Sequence, residues 1–227
     1  MRPDDTSSPG LSVRDLACTR AGRKVFSGLS FEAGLGEVVQ VRGANGSGKS
    51  SLLRLLCGLL APDSGEVRWR LRSVVPGGGG HSRDVAYMGH ACGMSADLTV
   101  IENLRASLRL AGRAPSDDDC REMLARLQLT GCEAERVRHL SQGQRQRLAL
   151  ARVLLSERTL WLLDEPHASL DRKGEAALAD SLSTHARRGG LALVATPRDL
   201  GDSCPCTQAL DMDGFTDAGR LQSHHRP

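Results

Sequence analysis

Residues 43–50 read GANGSGKS and lie between the runs VVQVR (38–42) and SLLRLLCGLL (51–60). The octet fits G-x-x-x-x-G-K-[ST]. The run before it reads as a strand and the run after it as a helix, the context this motif requires. Gly43, Gly46 and Gly48 let the backbone of Ala44, Asn45 and Ser47 wrap closely, so that its N–H groups can face phosphate oxygens. Lys49 is placed to reach β- and γ-phosphates and Ser50 to set its hydroxyl on Mg²⁺. Ser51 continues into a helix whose positive end faces the anion. A glycine turn with an incidental lysine would leave the register of strand, motif and helix unexplained. The loop reads as a nucleotide site.

Working outward, the 227 residues allow one full-sized core or two small ones, and 30 bases against 27 acids give a net charge of +3. That balance carries no nucleic-acid footprint. Nearly all the bases are arginine, and one of the few lysines, Lys49, falls in the glycine loop. No apolar run approaches the ~20 residues that span a bilayer, and the polar start MRPDDTSSPG is no signal peptide. Seven cysteines, scattered and odd in number, do not form a disulfide framework, and a reduced, cytoplasmic setting is expected. Cys204-Pro-Cys206 is the one close pair; its cysteines read as small hydrophobes rather than metal or haem ligands.

The chain alternates strand and helix. Residues 11–31 read as short strands with turns at Ala21-Gly22 and Ser27-Gly28, 38–42 as a strand, and 50–59 as a helix stopped by the turn 62–65. Residues 66–75 look like further strand, and PGGGGHS (76–82) like a flexible hairpin end. From 95 to 156 the pattern is helical, broken by AGRAPSDDD and LTGCE. Residues 159–163 and 191–195 are apolar without alternation, as in strands buried on both faces of a parallel sheet, with a helix near 173–187 between them. Trp69 and Trp161 read as packing residues.

Leu160-Trp-Leu-Leu-Asp-Glu165 is an apolar strand ending in two acids. Such a strand delivers Asp164 to the carboxyl edge of the sheet, where it can join a Mg²⁺ shell while Glu165 polarises an attacking water. A third stretch, LSQGQ (140–144), opens the helix RQRLALARVLL. Ser141 with Gln144 three residues on is also a capping box.

LSQGQ, then LLDEP, then Ser169-Leu-Asp171, in that order behind the glycine loop, resemble the ATP-binding-cassette (ABC) ATPases. The resemblance runs from about residue 11 to 215. It departs from the family signature LSGGQ at Gln142. It implies an α/β fold: a mostly parallel core sheet, an N-terminal antiparallel β subdomain and a helical signature subdomain at about 91–156. One such domain would occupy 11–217, between a flexible start (1–10) and a C-terminal tail (218–227). It further implies ATP with Mg²⁺, hydrolysis, and an ATP-dependent homodimer in which Ser141, Gly143 and Gln144 serve the partner's nucleotide and Asp171 couples the two sites.

VFSGLSF, GEVVQVRGANGSGKSSLLRLLCGL, YMGHACGM and LTVIENL look like the cytochrome c maturation ATP-binding subunits, the CcmA group. In that group His90 often stands where other cassettes carry a glutamine, which makes His90 a candidate catalytic residue. The likeness implies a CcmB-like integral membrane permease and haem-handling membrane proteins as partners, at the cytoplasmic face of a bacterial inner membrane, and no nucleic acid. Arg20, where many cassettes stack an aromatic on adenine, is either a stacking guanidinium or a solvated strand-end arginine. After the strand LALVAT the family's γ-phosphate histidine is replaced by Pro197, with Arg198 next to it. Thr184-His185 precedes that strand and reads as a surface histidine. Other ABC transporter subunits, or a slow ATP-dependent clamp with little turnover, are the competing readings; Glu165 argues against a pure clamp.

Overall fold

The computed structural model describes residues 10–89, 93–197 and 205–216. Five strands make one wholly parallel sheet: β3 (Val38–Arg42), β6 (Val85–Met88), β7 (Leu160–Asp164), β8 (Leu191–Ala195) and β9 (Gln208–Asp211), in the order β6-β7-β8-β3-β9. A second, antiparallel sheet has the order β2-β1-β4-β5, from β1 (Leu11–Arg20), β2 (Arg23–Ala33), β4 (Ser64–Trp69) and β5 (Arg72–Ser73). The helices are α1 (Lys49–Leu56), the short α2 (Gly79–Ser82), α3 (Val100–Leu110), α4 (Asp117–Arg126), α5 (Gln142–Leu154) and α6 (Arg172–Arg187).

The parallel strands lack polar alternation because both faces are covered. Leu160, Leu162, Leu191, Leu193, Val39 and Val41 point into a core shared with α1 and the antiparallel sheet. Their alternates Trp161, Leu163, Ala192 and Val194 point into a second core with α3, α4, α5 and α6. The period of two along a strand sends neighbours to opposite layers, and each fully buried leucine contributes about 1.5–3 kcal/mol.

Helix starts follow the residues expected to cap them. Thr99, Ser116 and Ser141 each accept from the backbone three residues on, and Glu102, Asp119 and Gln144 return the bond, so all three are capping boxes. α4 therefore begins inside the acidic run AGRAPSDDD (111–119), whose expected break in the helical pattern ends at Ser116. Other boundaries shift too. Ala21-Gly22 is the β1–β2 turn, but Ser27-Gly28 lies within β2, where Gly28 takes φ 71° at a register shift opposite Leu16–Cys18. That is a bulge rather than a turn. The glycine run enters the helical turn α2 instead of a loose hairpin end. There His81 packs edge-on to Trp69 and its Nε2 meets Leu56 O at 2.6 Å, closing the carboxyl end of α1. The expected packing role holds for both tryptophans, 3% and 5% exposed.

His185 is not on the surface. Its ring is buried and stacks on Trp161 with centroids 3.8 Å apart and planes 8° from parallel. A histidine beside a half-buried threonine on a helix gives no local sign of that partner, which comes from β7. Cys18, Cys57, Cys120 and Cys132 are free, whereas Cys206 is disulfide-bonded, so the expectation of reduced cysteines fails there among the described residues. Among the described residues no helix is long and apolar enough to cross a membrane.

Candidate nucleotide site

β3 carries the chain to the carboxyl edge of the parallel sheet, and the glycine loop turns there into α1. Gly43, Gly46 and Gly48 have φ of 141°, 87° and 98°, values that side chains disfavour. Gly48 is also sterically required. A Cβ there would lie 2.6 Å from Val25 Cγ1 and 2.8 Å from Phe26 Cδ1, because β2 packs directly over the loop. Ser47 N donates to Ala44 O at 3.1 Å, closing the turn, and the first intrahelical bond is Leu52 N to Gly48 O. The N–H groups of Lys49, Ser50 and Ser51 thus stand at the open start of α1, where a helix presents its positive end.

Lys49 is 5% exposed, and its ammonium donates to Gly43 O at 2.6 Å and Ala44 O at 2.9 Å. A buried cation is thereby held at the centre of the loop. Ser47 Oγ is buried without a hydrogen-bond partner. An anion-binding cradle with a buried positive charge fits the phosphates of a nucleotide.

The acids lie on the same edge. Asp164 pairs with Ala195 at the carboxyl end of β7. It is 8% exposed, with no cationic side chain paired to it among the described residues, which suits a carboxylate meant for a divalent ion. Glu165 takes φ 51°, an uncommon left-handed backbone for a non-glycine residue, and its N–H donates to Ala195 O at 2.9 Å. Thr196 N donates to Val41 O at 3.0 Å, so β8 spans the gap between the acids and the loop. Lys49, Ser50, Asp164 and Glu165 are brought to one edge.

The signature stretch sits elsewhere. Ser141 Oγ caps α5 and its side of the chain is exposed, and a Cβ on Gly143 would meet Ser169 Cβ at 3.5 Å. Among the described residues no hydrogen bond joins 141–144 to 43–50. Asp171 caps α6 through Gly174 N at 2.9 Å and accepts from Gln128. These bonds, Gly174 first and Gln128 second, hold its carboxyl below the usual range. Arg20 is exposed at the end of β1, opposite Arg23; the residues of this hairpin that cover the loop are Val25 and Phe26. Pro197 is an exposed bend beyond β8. His90, Arg198 and Cys204 lie outside the described residues. A pocket of about 390 Å³ beside Trp161, His185 and Gly190 opens at the amino ends of β7 and β8, the edge opposite Asp164.

Residues 26–168 match the ABC transporter family model. The cytochrome c biogenesis ATP-binding export protein CcmA of Cupriavidus pinatubonensis is 49% identical over 192 residues, 85% of each chain. The chain belongs to the CcmA family of ABC ATPases. The CcmA of Cupriavidus necator is 48% identical over 86% of this chain and 89% of its own. A dimeric ATP-binding cassette solved in a post-hydrolysis state with ADP and Pi superposes with a TM-score of 0.73 at 24% identity, over 83% of this chain and 88% of that one, a likeness of fold. As a CcmA-family ABC ATPase the chain binds nucleotide.

Residues missed by reading the sequence are those joined over long distances. Asp213 reaches Ala44 across 169 positions, and Gln128 reaches Asp171 across 43. Neither carries a local pattern that could have marked it.

Proposed function

We propose that this chain is the ATP-hydrolysing subunit of a membrane complex for cytochrome c maturation. The observation that carries the reading is the buried Lys49 at the centre of the glycine loop, on the same sheet edge as Asp164 and Glu165. Asn45, Gly46 and the first turn of α1 present N–H groups to the phosphates, while the N–H groups of Ala44 and Ser47 are held within the loop's own frame by Asp213 and Ala44 O, and Lys49 moves from loop carbonyls to the β- and γ-oxygens. Ser50 and Asp164 would hold Mg²⁺. When bound, that ion neutralises charge on the phosphoryl oxygens. Glu165 orients and deprotonates the attacking water. His90, which in the sequence stands where other cassettes carry a glutamine, would serve as a second group toward that water.

Ser141, Gly143 and Gln144 lie exposed or half-exposed at the start of α5, as expected of groups that complete the site of a second copy. The dimer forms with ATP, and Asp171 sits beside its two sites. A CcmB-like permease and haem-handling membrane proteins are the partners, which would hold the chain peripherally at the cytoplasmic face of the inner membrane.

The test is phosphate release and nucleotide titration on the purified chain with its permease. The parent should bind and hydrolyse ATP, Lys49→Ala should lose binding, and Glu165→Gln should bind ATP, stall and accumulate a dimer. Binding by Lys49→Ala equal to the parent's would overturn the loop assignment, and unchanged turnover by Glu165→Gln would remove Glu165 as base.

A further inference from the structure

The peptide unit between Gly43 and Ala44 is held at both ends. Its carbonyl, on Gly43, accepts from Lys49 Nζ at 2.6 Å. Its N–H, on Ala44, donates to both carboxylate oxygens of Asp213, at 3.0 and 3.2 Å. A cation on the oxygen and an anion on the N–H polarise one dipole in the same sense, so each bond strengthens the other.

The carboxylate is delivered by a supported turn. Met212, fully buried, donates from its N–H to Arg42 O at 3.0 Å, and Asp213 N donates to Asp211 Oδ1 at 2.9 Å, at the start of the 3₁₀ turn Asp213–Phe215. The absence of a side chain at Gly43 allows the approach. A Cβ there would come within 3.1 Å of both Asp213 Oδ1 and Met212 Cβ.

We propose that Asp213 is a positioning residue for Lys49: it fixes the Gly43–Ala44 peptide with its carbonyl toward the ammonium and so holds the phosphate-binding lysine in the loop before nucleotide arrives. The edge strand β9 thereby sets the geometry of a loop on β3. The inference rests on the nucleotide-site reading above. Without the clasp the peptide is free to rotate and Lys49 loses its pre-set place, a cost that falls on binding. With nucleotide bound, Lys49 is held by phosphate and the cost is already met.

The experiment titrates a fluorescent ATP analogue into the full chain and its Asp213→Ala, Asp213→Asn and Lys49→Ala variants, with nucleotide-free thermal midpoints and steady-state hydrolysis measured alongside. Asp213→Ala should bind about 10-fold more weakly, the scale of one charge-assisted hydrogen bond. Its turnover at saturating ATP should stay within about 2-fold, because only binding carries the cost. Asp213→Asn keeps an oxygen acceptor without the charge and should recover affinity to within about 3-fold of the parent. Should Asp213→Ala fail to fold, Asp213→Ser, too short to reach the amide, takes its place. Affinity equal to or tighter than the parent's in Asp213→Ala would overturn the proposal, since the carboxylate would then merely repel phosphate. Asp213→Asn as weak as Asp213→Ala would overturn it as well. A parent that binds no nucleotide, or binds no better than Lys49→Ala, would defeat the nucleotide-site reading and this inference with it; unaltered Asp213→Ala beside a crippled Lys49→Ala defeats this inference alone.

Discussion

The side-chain amide of Gln128 donates to the carboxylate of Asp171, joining the end of α4 to the start of α6. Arg147, from α5, donates to Gln128 Oε1 at 3.1 Å, and the other Asp171 oxygen caps α6 through Gly174 N. The helix that begins with Ser141 is thus tied, through one glutamine, to the loop that follows Glu165. Gln128 holds this place with a left-handed φ of 57°.

Removing that amide should uncouple the two. Gln128→Ala should leave ATP affinity within about 2-fold and lower hydrolysis about 5- to 10-fold, while costing about 1 kcal/mol of stability for the lost hydrogen bonds. Gln128→Gly, better suited to φ 57°, should regain stability but not turnover. Denaturant titration beside single-turnover hydrolysis separates the effects; recovery of turnover by Gln128→Gly would show that only fold stability matters there.

Glu165 holds its left-handed φ of 51° at the end of β7. A non-glycine residue there costs about 1–2 kcal/mol, a cost that the proposed role of Glu165 as base accounts for. Glu165→Gly should therefore raise the unfolding midpoint while abolishing hydrolysis, and Glu165→Gln should abolish hydrolysis with the midpoint unchanged. Thermal denaturation with phosphate release tests the pair. A fall in stability on Glu165→Gly would mean the side chain is a structural tie.

Burial pushes the imidazoles of His81 and His185 below their usual range, despite carbonyls at Leu56 and Leu191 that partly oppose it. Each proton is then bound more readily by the unfolded chain. Stability should be intact above the unfolded value near ~6.5 and be lost as pH falls through it, levelling off only below the lowered folded values. For the buried His185 the slope reaches at most about 1.4 kcal/mol per pH unit. The carboxyls of Glu102, Asp119 and Asp171 are held low by hydrogen bonds, so their contribution is lost only at more acid pH. Unfolding free energies between pH 7 and 5 should fall steeply in the parent and less steeply in His185→Leu. Equal slopes would exclude His185 as the titrating group.

Pro197 follows the buried Thr196 at the carboxyl end of β8, beside the edge that bears Asp164 and Glu165. Proline can donate no hydrogen bond to a developing phosphoryl charge. Pro197→His should raise hydrolysis at least about 10-fold, within the ~10²–10³ that one aimed donor can supply, with ATP affinity little changed. A parent already as fast as the variant would mean that another group makes the contact or that chemistry is not rate-limiting.

Local pattern was enough for the loop GANGSGKS, the strand LWLLDE and the helix opened by LSQGQ, because the chemistry of each lies within a few consecutive residues. Glycines permit left-handed φ wherever they stand. A serine caps the helix that follows it. An apolar run buried on both faces ends where its acids begin. The same reasoning blurred the bulge at Gly28 and the turn α2, where neighbouring strands decide whether a glycine bends, kinks or coils the chain.

By itself, then, the order of residues determined a glycine loop with a lysine at its end, two acids at a strand end and a serine-capped helix. Only the tertiary structure decided what surrounds them: that Asp213 grips the cradle from the far end of the chain, that Gln128 ties Asp171 to α5, and that His185 lies flat on Trp161. Those contacts join residues tens to well over a hundred positions apart, and their partners are chosen by which strands pair and which helices pack, for which no short window of sequence carries a signal.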